Sequence, residues 1–176
     1  MPQLMEMRPA VSAASDADVT VSDASNTCLT ATPDDGWIYV SNCEMPVDGG
    51  AGALRFDKTG KIVDAYPILE GTIMNCAGGP TPWGTWLSCE EYPEGRVWEC
   101  DPTGKNAAVP VPSMGRFAHE AAAVDLAAGH IYLSEDVPDG RLYRYVSPGR
   151  DNSGRLQLEG GKLEVAVVAQ DNTVSW

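Results

Sequence analysis

The sequence predicts an all-β protein, a β-propeller built from four-stranded units of about 46 residues. Three observations carry that expectation. A segment of alternating aromatic and aliphatic residues recurs at constant spacing; each copy is followed by a Gly-containing turn and a second apolar segment; and 18 Gly and 13 Pro are spread along the chain, as many short elements joined by tight turns require.

The three copies are Gly36-Trp37-Ile38-Tyr39-Val40-Ser41, Trp83-Gly84-Thr85-Trp86-Leu87-Ser88 and Gly129-His130-Ile131-Tyr132-Leu133-Ser134, whose serines lie 47 and then 46 residues apart. Each alternates as a buried strand does and ends in polar or acidic residues, Asn42-Cys43-Glu44, Cys89-Glu90-Glu91 or Glu135-Asp136. The second strand of each hairpin is Ala53 to Asp57, Arg96 to Asp101 or Arg141 to Tyr145. Two of these run into similar turns, Asp57-Lys58-Thr59-Gly60 and Asp101-Pro102-Thr103-Gly104, and an outer strand follows, clearest at Lys61 to Ile68. One more strand precedes each aligned serine, around Asn26 to Thr32, Asn75 to Gly79 and His119 to Asp125.

Four short strands per unit make a propeller blade. A β-sandwich also spaces its strands at about 8–12 residues, but the matched serines favour the propeller. At this period 176 residues supply three to four blades' worth of chain, which reads as part of a larger propeller. Residues 1–25 form an irregular segment or the remnant of a preceding blade. Blades follow at about 26–70, 71–114 and 115–160, with another starting from 161. Trp37, Tyr39, Trp86, Trp98, Tyr132, Tyr143 and Tyr145 are expected to pack between blades.

Composition narrows the function. The 12 Lys and Arg against 25 Asp and Glu give a formal charge of -13, which repels phosphate backbones and excludes a nucleic-acid partner while suiting a protein that gathers cations. No window approaches the roughly 18 consecutive apolar residues that span a bilayer, and Met1 to Thr20 shows no export signal. The five cysteines cannot all pair, and none forms a C-x-x-C motif.

In a propeller the innermost strands face a common axis, so residues about 45 positions apart converge. The inner strands here bring Asn26 and Cys28, then Asn75 and Cys76, then His119 and Glu120. A thiolate with carboxylates and an imidazole makes a transition-metal set, whereas Glu90-Glu91 and Glu135-Asp136 offer hard oxygens suited to calcium. The alternatives are a buried structural thiol at Cys76, solvated turn carboxylates in the acidic pairs and a hydrogen-bonded core histidine at His119. No P-loop, G-x-S-x-G, H-E-x-x-H or EF-hand pattern occurs.

The run Asn75 to Glu91, NCAGGPTPWGTWLSCEE, followed by Gly115-Arg116-Phe117-Ala118-His119-Glu120 and Tyr132-Leu133-Ser134-Glu135-Asp136, closely resembles the PhoX-type alkaline phosphatase family. The likeness extends from about Trp37 through Tyr145. It implies a propeller that holds iron and calcium ions at its axis and hydrolyses phosphomonoesters in the periplasm or outside the cell. It further implies that Cys76 and Glu120 ligate iron and that Glu90 or Glu91 helps bind the cluster, with Glu135 and Asp136 as further metal candidates. On that reading Arg116, just before Glu120, is the candidate catalytic contact to a small phosphorylated substrate, its bland alternative being a surface ion pair. A calcium-stabilised propeller without turnover is the rival function. An open blade edge would also permit self-association.

Overall fold

A computed structural model describes residues 27–176, so the expectations for 1–25 and for Asn26 lie outside the described residues. Twelve strands fall into three four-stranded antiparallel sheets, each with its strands paired in chain order. The first holds β1 (Thr27–Ala31), β2 (Trp37–Cys43), β3 (Gly49–Phe56) and β4 (Ile62–Thr72). The second holds β5 (Asn75–Pro80), β6 (Trp86–Glu90), β7 (Val97–Cys100) and β8 (Val109–Pro110). The third holds β9 (His119–Asp125), β10 (His130–Glu135), β11 (Leu142–Val146) and β12 (Lys162–Val165). A short hairpin, β13 (Val167–Val168) with β14 (Val174–Ser175), follows. Among the described residues the only helical element is a 3-10 turn at Pro112–Met114, and no helix is long and apolar enough to cross a membrane.

The all-β expectation and the order of strands within each unit therefore stand. The sequence reading assigned everything from 161 onward to a next unit, but β12 pairs with β11, so residues 162–165 complete the third sheet. Residues 147–161 make an excursion between β11 and β12, which lengthens this connection relative to those of the other two sheets. That excursion folds back on the second sheet, burying Leu156 and Leu158, and its Arg155 pairs with Glu99 and lies over the Trp83 ring.

Local chemistry explains the repetition. The turns after β3 and β7 are closed by an aspartate: Asp57 Oδ1 accepts the amide and hydroxyl of Thr59 at 2.8 and 2.6 Å, and Asp101 Oδ1 does the same for Thr103 at 2.8 and 2.7 Å. The turns from first to second strand also match, with Thr32 N donating to Gly36 O, Thr81 N to Thr85 O and Ala169 N to Thr173 O. The β13–β14 hairpin thus opens as the first and second sheets do.

The sheets are buried face to face. All five residues of β6 are buried, because alternate side chains serve different neighbours. Trp86 packs with Ile38, Val40 and Ile68 of the first sheet, whereas Leu87 and Cys89 pack with Ile131, Leu133 and Tyr145 of the third. The aromatic residues divide accordingly: Trp86 and Tyr145 are wholly buried, Trp98 packs against the cluster of the first and second sheets, and Trp37 stacks on Phe56.

First strands of neighbouring sheets meet at their backbones. A Cβ on Gly79 of β5 would lie 1.8 Å from the Ala122 carbonyl oxygen of β9, and one on Gly78 would lie 1.8 Å from that of Leu87. Only glycine allows such approaches. The Gly78-Gly79 pair is what lets β5 run tight against both β6 and β9.

Candidate metal centre

The end of the molecule where β5 and β9 begin carries the chemistry. Both strands start with a β-bulge. Against β6 the register passes from Asn75↔Glu90 to Gly78↔Ser88, so Cys76 and Ala77 face the single residue Cys89. Against β10 it passes from His119↔Glu135 to Ala122↔Leu133, so Glu120 and Ala121 face Ser134. A bulge bends the strand and re-aims a side chain. Here it does so at equivalent positions, and the Cys76 Sγ and Glu120 Oε1 atoms come to 3.7 Å.

Three carboxylates join them. Ligand-type atoms of Glu44, Cys76 and Glu91 lie within 4.8 Å of one another, as do those of Glu91, Glu120 and Asp136. Glu91 belongs to both groups and links them. Glu44, Glu91 and Asp136 each follow the end of a second strand, and the backbone fixes them there. Met74 N donates to Met45 O, Glu91 N to Met74 O and Asp136 N to Ala118 O, at 2.8, 2.7 and 3.0 Å. These bonds stitch the mouths of three successive sheets around one point.

The acidic pairs are split by this arrangement. Glu90 is buried and accepts from Arg96 N at 3.0 Å, Trp98 Nε1 at 3.1 Å and Ile73 N at 3.5 Å. Glu135 repeats the pattern in the third sheet, accepting from Arg141 N at 3.2 Å and the Tyr143 hydroxyl at 3.0 Å, with Arg141 also paired to it. Both carboxylates are consumed in closing their own hairpins, and neither belongs to the acidic groups at the mouth. The structure thus places Glu90 and Glu135 in hairpin closure, and their neighbours Glu91 and Asp136 in the candidate groups at the mouth.

Of the remaining residues expected at the site, Arg116 lies in the exposed approach to β9 and pairs with Glu94 at 3.3 Å. His119 alternates to the other side of β9 from Glu120. It is wholly buried against Phe117, at 3.6 Å between ring centroids, with Nε2 at 3.4 Å from the Gly115 carbonyl and Nδ1 without a partner. Burial holds its pKa down at about 4, only partly offset by the Gly115 carbonyl, which keeps it neutral.

Sequence reasoning passed over Glu44 as a functional residue and named it only as part of a polar strand end. A signal existed, since Glu44 stands three places after Ser41 as Glu91 stands three after Ser88.

The electrostatics suit a cation. Glu44, Glu91, Glu120 and Asp136 make no ion pair with a basic side chain among the described residues. Burial raises the pKa of the Cys76 thiol well above its usual range, and hydrogen bonding with Glu91 and Glu44 and the charge of Glu120 push it further. Burial likewise raises Glu91; the hydrogen bond with Cys76 pulls it back, while the charges of Glu120 and Glu44 push it up. A multivalent cation would reverse both shifts, because it favours the deprotonated ligands. A thiol among carboxylates fits a transition metal at the sulfur side and a hard cation at the oxygen side.

Four-stranded antiparallel sheets repeated in series, with a thiol and carboxylates gathered where their mouths meet, define an all-β repeat protein with a candidate cation centre. Within that class the chain belongs to the family of alkaline phosphatase PhoX, whose family model matches residues 39–97 and 94–176. No curated protein and no solved structure matches the chain.

Proposed function

We propose that this chain is a metal-dependent phosphomonoester hydrolase-like protein of the PhoX type. The observation that carries this reading is that Glu44, Cys76 and Glu91, and Glu91, Glu120 and Asp136, drawn from three successive sheets, form two adjoining groups joined by Glu91. Membership of the phosphatase family supports it independently. In this reading the three sheets are propeller blades with β1, β5 and β9 innermost, and the β13–β14 hairpin, which repeats the opening turn, begins a further blade.

Cys76 and Glu120 would hold iron, Glu91 would help hold the cluster, and Glu44 beside Cys76 and Asp136 beside Glu120 would offer further oxygens, of the kind calcium takes. Bound cations would supply positive charge against the oxygens of a phosphoryl group. The chain's own part is to bind and to orient. Without cations the four carboxylates add to the net negative charge of the chain, so a phosphate would approach this mouth only in the metal-bound protein. Arg116 is the candidate phosphate contact: its pairing with Glu94 is solvent-exposed and of a kind worth little, so the guanidinium is free to turn to a dianion. A small phosphorylated substrate and a periplasmic or extracellular setting follow from the family. An open blade edge would also allow self-association.

The test is elemental analysis of the purified chain after gentle dialysis, paired with hydrolysis of p-nitrophenyl phosphate before and after chelation. Iron and calcium in stoichiometric amounts with chelator-sensitive hydrolysis are expected. Calcium alone without hydrolysis would replace this reading with that of a calcium-stabilised binding module, and absence of both metals would overturn it.

A further inference from the structure

Cys76 is presented by a bulge, a weak point in a ladder, and something must hold that bulge in one shape. Asn42, at the end of β2 in the neighbouring sheet, donates from Nδ2 to the carbonyls of both bulge residues, Cys76 at 3.1 Å and Ala77 at 2.6 Å. Its own orientation is fixed from the other side, because Oδ1 accepts from Trp86 Nε1 and from the Ser88 hydroxyl, each at 2.9 Å. A carboxamide offers two donors and two acceptor positions, and all four are used. The lock extends further: Asn75 Nδ2 donates to Ser88 Oγ at 3.0 Å, and the Thr72 hydroxyl donates to Asn75 Oδ1 at 2.7 Å.

We propose that Asn42 is a positioning residue for the Cys76 thiolate, clamping the two carbonyls of the bulge so that the sulfur faces Glu91 and Glu120. The inference rests on the metal reading of Cys76 given above. Its physical basis is that ligand groups are oriented by the hydrogen bonds of the shell behind them. The third sheet supplies a contrast, because the residue equivalent to Asn42 on β6 is Cys89, which cannot replace a carboxamide's four bonds. Glu120 is long enough to find its position without such a clamp; the short cysteine side chain is not.

The experiment is titration of the chelator-treated protein with Co(II), following the thiolate-to-cobalt charge-transfer band, in the wild type, Asn42→Asp and Thr72→Val. Asn42→Asp keeps the acceptor bonds to Trp86 and Ser88 and removes both donated ones. It is expected to weaken cobalt affinity about 10- to 100-fold, as loss of an outer-shell partner does, and to diminish the band per cobalt bound. Thr72→Val breaks the same network at its far end, and it should lower thermal stability while leaving the band unchanged. Wild-type affinity and a full band in Asn42→Asp would overturn the proposal, as would an equal loss in Thr72→Val. Should Asn42→Asp not fold, Ser88→Ala removes one of the two bonds that fix the carboxamide, and a smaller loss in the same direction is expected.

Failure of the metal reading would show separately, as a wild-type protein without a thiolate band. In that case the clamp is tested by alkylation of the metal-free protein, read at Cys76 by peptide mass spectrometry. A several-fold faster reaction in the Asn42 variant supports the clamp, and an unchanged rate removes it.

Discussion

At the start of β5 stand Asn75 and Cys76; at the start of β9 stand His119 and Glu120. The second and third sheets share the bulge, the hairpin-closing carboxylate behind it and the mouth carboxylate beside it, yet they fill the two inner positions differently. Asn75 is buried with both ends of its amide bonded to Thr72 and Ser88, whereas His119 is buried with one nitrogen unpartnered. Cys76 brings a soft donor and Glu120 a hard one. The duplicated scaffold fixes where side chains point, and the substitutions between copies change which donor atoms each copy offers.

The sharpest test of the shared scaffold is the hairpin-closing carboxylate. Glu90→Ala strips the partner from the Arg96 amide and the Trp98 indole in a buried site, which is expected to cost about 3 kcal/mol or more. Glu135→Ala removes the equivalent partner where water has some access, and about 1–2 kcal/mol is expected. Urea denaturation of the metal-free variants measures both. Equal and negligible losses would mean that the two carboxylates do not close their hairpins.

The contrast in donor chemistry is tested by Cys76→Ser. Binding of a transition metal is expected to fall by more than about 100-fold, beyond what losing an outer partner costs, with calcium binding little changed. Isothermal titration with each cation would show it. A parallel loss of both cations would mean that Cys76 supports the fold of the mouth and not one side of it.

His119 gives the comparison a pH signature. Its pKa is held at about 4 by burial, against 6.5 for the free side chain, so the unfolded chain binds the extra proton in that interval and stability falls as pH drops through it. The expected loss between pH 7 and pH 5 is about 2 kcal/mol. His119→Asn, which installs the residue that the second sheet uses, should remove that slope, and denaturant midpoints at the two pH values would reveal a slope that persists.

How much of this was legible in the sequence depends on what each feature rests upon. The strands were, because alternation, aspartate-closed turns and matched serines are local patterns, and β9 occupies the residues expected for it. The excursion of residues 147–161 was not, because its place is set by Arg155 and Leu156 reaching the second sheet. The meeting of Cys76 and Glu120 was legible from their equivalent places at the starts of β5 and β9. Glu90 and Glu91 were not separable, since adjacent residues of a strand point to opposite sides and only the bulge decides which side is the mouth. Asn42 was invisible as a clamp, because its partners lie 34 to 46 positions away.

The smallest effect, and the one that separates the two members of an acidic pair, belongs to Glu91→Gln. Burial, with the charges of Glu120 and Glu44, raises the folded carboxyl above its unfolded pKa of 4.5, against the pull of Cys76. The folded protein therefore binds more protons than the unfolded one above that value, and Glu91 lowers the stability of the metal-free chain as pH rises through its folded pKa. Glu91→Gln is expected to stabilise the metal-free protein at neutral pH by a few tenths of a kcal/mol, a figure kept small by the site's partial exposure. In saturating cation the sign should invert, because the wild type then gains binding free energy that the variant lacks. Melting temperatures with and without added metal would show the crossing; a variant less stable in both conditions would make Glu91 a structural residue like Glu90.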